Sequence, residues 1–224
     1  MSEGDGATRR VPAGIIDISQ PLGTDTPEWP GDAPFRLAWT MRRERGDSVN
    51  VAEIATSVHI GTHADGPGHT LDGRPPIGAA PLEPYVGPAV VVHADGARAL
   101  ETGLLNGLDV HATPRVLIRA RAQDSASSAG FHRDFAAITP ELARALVAQG
   151  ARLVGTDSPS VDPFDSKELE AHRILTEGGV AILENLVLDD VPAGEYTLVA
   201  LPLRLTQADS SPVRAVLLLA GSLG

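Results

Sequence analysis

Proline and glycine break the first part of this chain into segments too short for long helices. Residues 21–34 hold four prolines and two glycines around Trp29, and residues 61–81 are again rich in both. Proline removes a backbone donor and glycine costs helix entropy, so both stretches read as loops. Short β-rich runs separate them. Residues 14–18 form the first and residues 49–58 the second. Residues 88–93, with Ala-Val-Val-Val, suggest a buried strand, and residues 116–118 another.

Helix signals begin at Thr139. Thr139 can cap, Pro140 suits the first helical position, and Glu141 favours the positive end. Leu142, Leu146 and Val147 supply an apolar stripe and Gly150 a stop. A strand follows at residues 152–155. Residues 166–177 read as a second helix, with Leu169, His172 and Leu175 on one face. Residues 180–183 form a strand running into Glu184, and residues 196–205 and 213–219 read as further strands. A β-rich first half followed by helix–strand alternation indicates a mixed α/β domain. No repeat or composition shift marks a second domain, and 224 residues suit one. Residues 1–13 are expected as a disordered leader before a single domain over residues 14–224.

The balance of 42% hydrophobic and 21% charged residues is that of a soluble globular protein. A formal charge of −11 opposes binding to nucleic acid or anionic membranes. The cluster Arg42, Arg43, Arg45 is offset by Glu44 and Asp47 and reads as a solvated stretch. With no cysteine, disulfides, a thiolate nucleophile and Cys-ligated zinc are excluded. Residues 1–14 lack the apolar core of a signal peptide, and no run reaches the roughly 18 apolar residues of a membrane span. Cytoplasmic location is the expectation.

Chemistry concentrates in Val58-His59-Ile60-Gly61-Thr62-His63-Ala64-Asp65-Gly66-Pro67-Gly68-His69. Imidazole nitrogens and carboxylate oxygens suit zinc or manganese. A histidine pair four apart is common by chance. Three histidines and an aspartate among glycines point more sharply to a metal, in a compact loop leaving a strand. His172 alone reads as a core histidine satisfied by a hydrogen bond. Glu184 is either a ligand or the point where a strand meets solvent. His93, His111 and His132 read as surface residues, and Trp29 as a packing anchor or pocket wall.

These segments together resemble the metal-dependent cyclase-like hydrolases. HIGTHADGPGH is similar to their HxGTHxDxPxH signature. Residues 17–22, 29–35, 155–163, 184–189, 201–203 and 211–215 are similar to further family segments, in order. Within the family the chain resembles the bacterial arylformamidases. The resemblance implies a single mixed domain of the swivelling β/β/α type, assembled as a homodimer or homotetramer. It implies two divalent ions per subunit, zinc before manganese. His59 and His63 would bind one ion, His172 the other, and Asp65 and Glu184 both. His69 would be the general acid/base, and Trp29 would contact substrate. The implied reaction is hydrolysis of N-formyl-L-kynurenine to L-kynurenine and formate, in tryptophan degradation. Gly66, Gly68 and Ser158 depart from the usual family residues and bear on pocket shape. The rivals are a related hydrolase of a cyclic amide or lactone such as isatin, a non-catalytic binding protein on this scaffold, and structural histidines in an unrelated fold.

Overall fold

The computed structural model describes residues 14–120 and 130–219, and the leader expected over residues 1–13 lies outside them. In chain order the strands are β1 (Ile15–Asp17), β2 (Arg36–Met41), β3 (Val51–Ala55), β4 (His63–Asp65), β5 (Val86–His93), β6 (Ala99–Leu100), β7 (Arg115–Arg119), β8 (Ala137–Ile138), β9 (Leu153–Thr156), β10 (Ala181–Glu184), β11 (Gly194–Val199), β12 (Ser210–Pro212) and β13 (Val216–Leu218). The α-helices are α1 (Pro140–Ala148) and α2 (Glu170–Glu177).

Nine strands form one sheet in the order β1-β13-β11-β5-β7-β9-β10-β4-β12. Its centre, β5-β7-β9-β10, is parallel, and antiparallel strands flank it on both sides. Successive strand residues face opposite ways, and in the parallel centre both faces are buried. Val90, Val116, Ile118, Val154 and Ile182 pack with Leu142, Leu146 and Leu175 of the two helices. Their neighbours Val91, Leu117, Leu153 and Leu183 pack on the other side with Ala64, Leu198 and Leu217. Strands from both flanks of the order share that second core, so the sheet is curled. Each fully buried Leu or Ile side chain stabilises this arrangement by roughly 1.5–3 kcal/mol.

The α1 boundary is the expected one: Thr139 Oγ1 accepts from the Leu142 amide at 3.2 Å. The second helix starts later than expected, at Glu170. Ser166 Oγ takes the Leu169 amide, and Leu169 is left-handed at φ 45°, which closes the preceding loop separately. Asp162 Oδ1 and Oδ2 then accept from the amides of Ala171 and His172, both at 2.9 Å, capping α2 from a distance.

Three strand expectations need correction. The loop expected over residues 59–69 contains β4. The strand expected over residues 196–205 ends at Val199, ahead of Pro202. The strand expected over residues 213–219 shrinks to Val216–Leu218, while β12 lies just before it at the opposite edge of the sheet. The strand expected over residues 49–58 is β3, and it pairs antiparallel with β2, a further strand beyond those expected. Ten of this hairpin's eleven residues are exposed, so it stands clear of the body on both faces. Its turn carries Arg43 and Arg45, exposed as expected, and the Arg42 guanidinium lies 4.9 Å over Trp39.

Candidate metal centre

The site is built where β4 meets β10. Antiparallel register places His63 opposite Glu184 and Asp65 opposite Ile182. Residues two apart share a strand face, so His63, Asp65 and Glu184 converge on one side. Gly61 makes the approach to β4 possible. Its φ is +57°, and a Cβ there would stand 2.4 Å from Leu22 Cδ2. His59 enters from the hairpin side of that turn, and α2 delivers His172.

Second hydrogen bonds aim these side chains. His63 Nδ1 pairs with the Gly61 carbonyl at 2.8 Å, leaving Nε2 toward Glu184 Oε2 at 3.3 Å and Asp65 Oδ1 at 3.6 Å. His172 Nδ1 pairs with Asp162 Oδ2 at 2.7 Å, leaving Nε2 at 3.3 Å from both Asp65 Oδ2 and Glu184 Oε1. His59 Nδ1 stands 3.2 Å from Asp65 Oδ1. Each carboxylate therefore turns one oxygen toward His63 and the other toward His172. Such supporting bonds fix imidazole orientation in metal sites.

Chemistry of the donors supports a cation here. His63 Nε2 and both Asp65 carboxylate oxygens are buried without a hydrogen-bond partner. They lie close to oppositely charged groups but are not aligned with them, as expected of atoms aimed at a common point. Unpaired buried polar atoms are costly, and a cation would satisfy all three. With protons alone as counter-charge, burial works against a charged His59 ring, but the carboxylates of Asp65 and Asp209 outweigh it and raise its pKa to about 9. The same contest leaves His63 raised, chiefly by Glu184, and His172 well above its ordinary value, chiefly by Asp162. Burial would raise the Asp65 pKa, yet the imidazoles of His172 and His59 draw it well below the carboxylate range.

His69 stands at the mouth of this cluster, its ring centroid 4.3 Å from that of His59 and 5.7 Å from that of His172. The cleft beyond has a volume of about 520 Å³. Trp29 forms part of its wall, stacked on Phe164 at 5.1 Å and edge-on to Phe131 at 5.0 Å. All seven residues singled out in the sequence, Trp29, His59, His63, Asp65, His69, His172 and Glu184, thus meet at one cleft or directly beneath it.

Four contributors went unread. Phe131 and Phe164 complete the aromatic wall but sit in loops without periodicity. Asp162 orients His172, and its only signal was membership of the family-like run 155–163. Asp209 touches both His59 and His69, at 3.0 and 3.1 Å, from a polar segment with no distinguishing pattern. The surface reading of His93 is corrected: it is half-buried, its Nε2 on the Val191 carbonyl and its Nδ1 on the Arg119 guanidinium. His111 is exposed as expected. Gly66 is tightly enclosed, since a Cβ would meet the Asp209 carbonyl oxygen at 2.7 Å, whereas Gly68 has ordinary space around it. Ser158 is buried beside the site, its carbonyl accepting from the Asn185 amide at 2.9 Å.

Known proteins share this fold. The Cyclase family profile, described as "Putative cyclase", matches residues 16–163. A solved structure of a potential metal-dependent hydrolase with cyclase activity is 28% identical, with a TM-score of 0.77 over 91% of this chain and 96% of that one. A predicted metal-dependent hydrolase from Bacillus stearothermophilus is 26% identical, with a TM-score of 0.75 over 91% and 97%. Isatin hydrolase A from Labrenzia aggregata shares the fold at 24% identity, with a TM-score of 0.74 over 92% and 93%. The profile match spans well over half the chain and includes the signature from His59 to His69, and the chain belongs to the Cyclase family.

Proposed function

We propose that this protein is a metal-dependent hydrolase that cleaves N-formyl-arylamines, with N-formyl-L-kynurenine as its substrate and L-kynurenine and formate as products. The observation that carries the reading is the convergence of three imidazoles and two carboxylates, with orphaned donor atoms at their centre, beneath a cleft walled by Trp29, Phe131 and Phe164. His59, His63 and His172 would supply nitrogen ligands, and Asp65 and Glu184 would each face two neighbouring positions, for two divalent ions. Zinc fits first and manganese second. Bound there, such ions would polarise the formyl carbonyl and lower the pKa of water.

The chain's own residues do the rest. The aromatic wall holds the aryl ring of the substrate by stacking. His69, at the cleft mouth, accepts a proton as water oxygen bonds to the formyl carbon. It returns that proton to the arylamine nitrogen as the C–N bond breaks, so the amine leaves neutral. Asp162 and the Gly61 carbonyl hold His172 and His63 in place throughout.

A second reading is a hydrolase of a cyclic amide such as isatin. The fold shared with isatin hydrolase A favours it. Kinetics on both compounds separate the two. The formamidase reading expects kcat/KM for N-formyl-L-kynurenine to exceed that for isatin by at least about a hundredfold, a gap of about 2.7 kcal/mol. The opposite ranking would establish the cyclic-amide reading. A homo-oligomer belongs to the same proposal: a two-stranded hairpin exposed on both faces is marginal in water, and a second copy would cover β2 and β3.

A further inference from the structure

One carboxylate oxygen at the site serves two imidazoles. Asp209 Oδ2 stands 3.0 Å from His59 Nε2 and 3.1 Å from His69 Nδ1. An ionised carboxylate only accepts hydrogen bonds, so each of those nitrogens carries the proton it donates. The consequence differs for the two rings. A neutral His59 is left with Nδ1 as the nitrogen that can ligate a cation, on the side of Asp65 Oδ1 at 3.2 Å. His69 is left with Nε2 as its acceptor nitrogen, and that ring lines the cleft.

The backbone shows that Asp209 is held for this task. Its carbonyl oxygen accepts from the Gly66 amide at 2.7 Å, tying it to the segment that carries Asp65 and His69. Gly66 has no Cβ where one would collide with that same oxygen, at 2.7 Å. The next residue, Ser210, opens β12 and pairs with Asp65 in register, with its Oγ on the Ala64 carbonyl at 2.8 Å. Asp209 is therefore fixed from both sides, although its side chain is 48% exposed. An exposed carboxylate held by two imidazoles and a glycine-dependent backbone contact is more constrained than solvation alone requires.

We propose that Asp209 is a positioning residue: through one oxygen it sets the tautomers of both His59 and His69. His59 thereby keeps Nδ1 free to ligate a cation shared with the Asp65 carboxylate. His69 keeps Nε2 unprotonated for the proton of the attacking water. The part concerning His69 in turnover rests on the hydrolase reading above. In that reaction the water oxygen–carbon bond forms and the carbon–nitrogen bond breaks. The proton travels from water to His69 Nε2 and on to the departing nitrogen. Asp209 stays ionised and receives no proton.

Two readouts on the zinc-loaded full chain test this. In protein labelled with nitrogen-15 at histidine, long-range nitrogen–proton spectra distinguish an Nδ1–H ring from an Nε2–H ring. The His69 signal, identified by its loss in His69→Gln, is expected as the Nδ1–H tautomer. In Asp209→Asn it is expected to shift toward Nε2–H, with zinc content measured on each sample. The second readout compares kcat for N-formyl-L-kynurenine with kcat for 4-nitrophenyl formate, whose leaving group needs no proton. The amide-to-ester ratio is expected to fall at least about tenfold in Asp209→Asn. The ratio falls in His69→Ala too, and no further in the double variant, because the two residues act as a unit. An Nε2–H tautomer for His69 in the unaltered protein, or a ratio that Asp209→Asn leaves unchanged, overturns the proposal. Cleavage of neither formyl compound by the unaltered protein would defeat the formamidase reading, while the tautomer spectrum would still decide the role of Asp209.

Discussion

Asp65 has both carboxylate oxygens turned toward imidazoles and neither paired by an aligned hydrogen bond. Replacing it with asparagine removes the negative charge that a cation would need while preserving shape. Asp65→Asn is expected to lose most of its bound metal, measured as ions per chain by inductively coupled plasma mass spectrometry. His69→Ala separates the roles: it is expected to keep its metal but lose about 10²–10⁴-fold in kcat, the usual range for removing a general acid/base. Retained metal in the first variant, or retained turnover in the second, would reverse these assignments. Legibility at this scale depended on spacing in the chain. His59, His63, Asp65 and His69 fall within eleven residues, so their chemistry is visible as a cluster. His172 and Glu184 lie more than a hundred residues away; His172 alone reads as a core histidine and Glu184 as either a ligand or a strand end, and the resemblance is what implies both as ligands. Asp209 is a lone acid in a polar stretch. Its partners are brought to it by β12 pairing with β4, a contact that no local pattern announces.

At the scale of elements, the active geometry depends on how closely backbones approach. Gly66→Ala would press a Cβ against the Asp209 carbonyl and against Ile77, and is expected to destabilise the fold by about 1–3 kcal/mol. Gly68→Ala meets only contacts at 3.5 Å and is expected to be tolerated. Urea denaturation of the two variants gives the comparison, and equal midpoints would show that β4 and β12 can separate without cost. The helix cap is a smaller matter: Thr139→Ala is expected to cost about 1 kcal/mol. If a second copy covers the free hairpin, Trp39→Ser is expected to lower the mass measured by light scattering, and an unchanged oligomer would place the interface elsewhere. Elements with strong local signals were legible. The α1 cap and stripe, and the apolar runs of β5, β7, β9 and β10, declare themselves. Only half of the hairpin did: β3 was read as a strand, whereas the short alternation of β2, with Leu37, Trp39 and Met41 at every second position, is buried on neither face and sits beside charged turn residues. The start of α2 was misread because its cap comes from Asp162, eight residues before Glu170.

Across the whole molecule, a curled sheet brings an anionic cluster into the interior of a chain whose formal charge is −11. Bound cations would relieve both the local and the global imbalance. Removing them leaves the histidines to hold the carboxylates by protonation, and this gives a pH signature. A histidine whose pKa is raised on folding contributes stability that is fully present below its unfolded value near 6.5. That contribution is lost as pH rises through the folded value, about 9 for His59. Metal-stripped protein is therefore expected to lose stability between about pH 6.5 and 9, measured as a falling melting temperature. Metal-loaded protein should lose much less over the same window, because ligation already requires neutral imidazole. Parallel pH curves for the two forms would mean that the histidines and the metal do not share a site. The mixed α/β class and the approximate order of elements were legible from composition and punctuation. The curl was not, since it follows from β11 and β13 sharing a core with β4 and β10, contacts far apart in sequence.

The most direct test of the account is hydrolysis of N-formyl-L-kynurenine by protein of known metal content, followed by kynurenine absorbance, before chelation, after it, and after metal is restored. Rapid turnover is expected, lost with the metal and restored with about two ions per chain. Turnover that survives complete removal of metal would contradict the account.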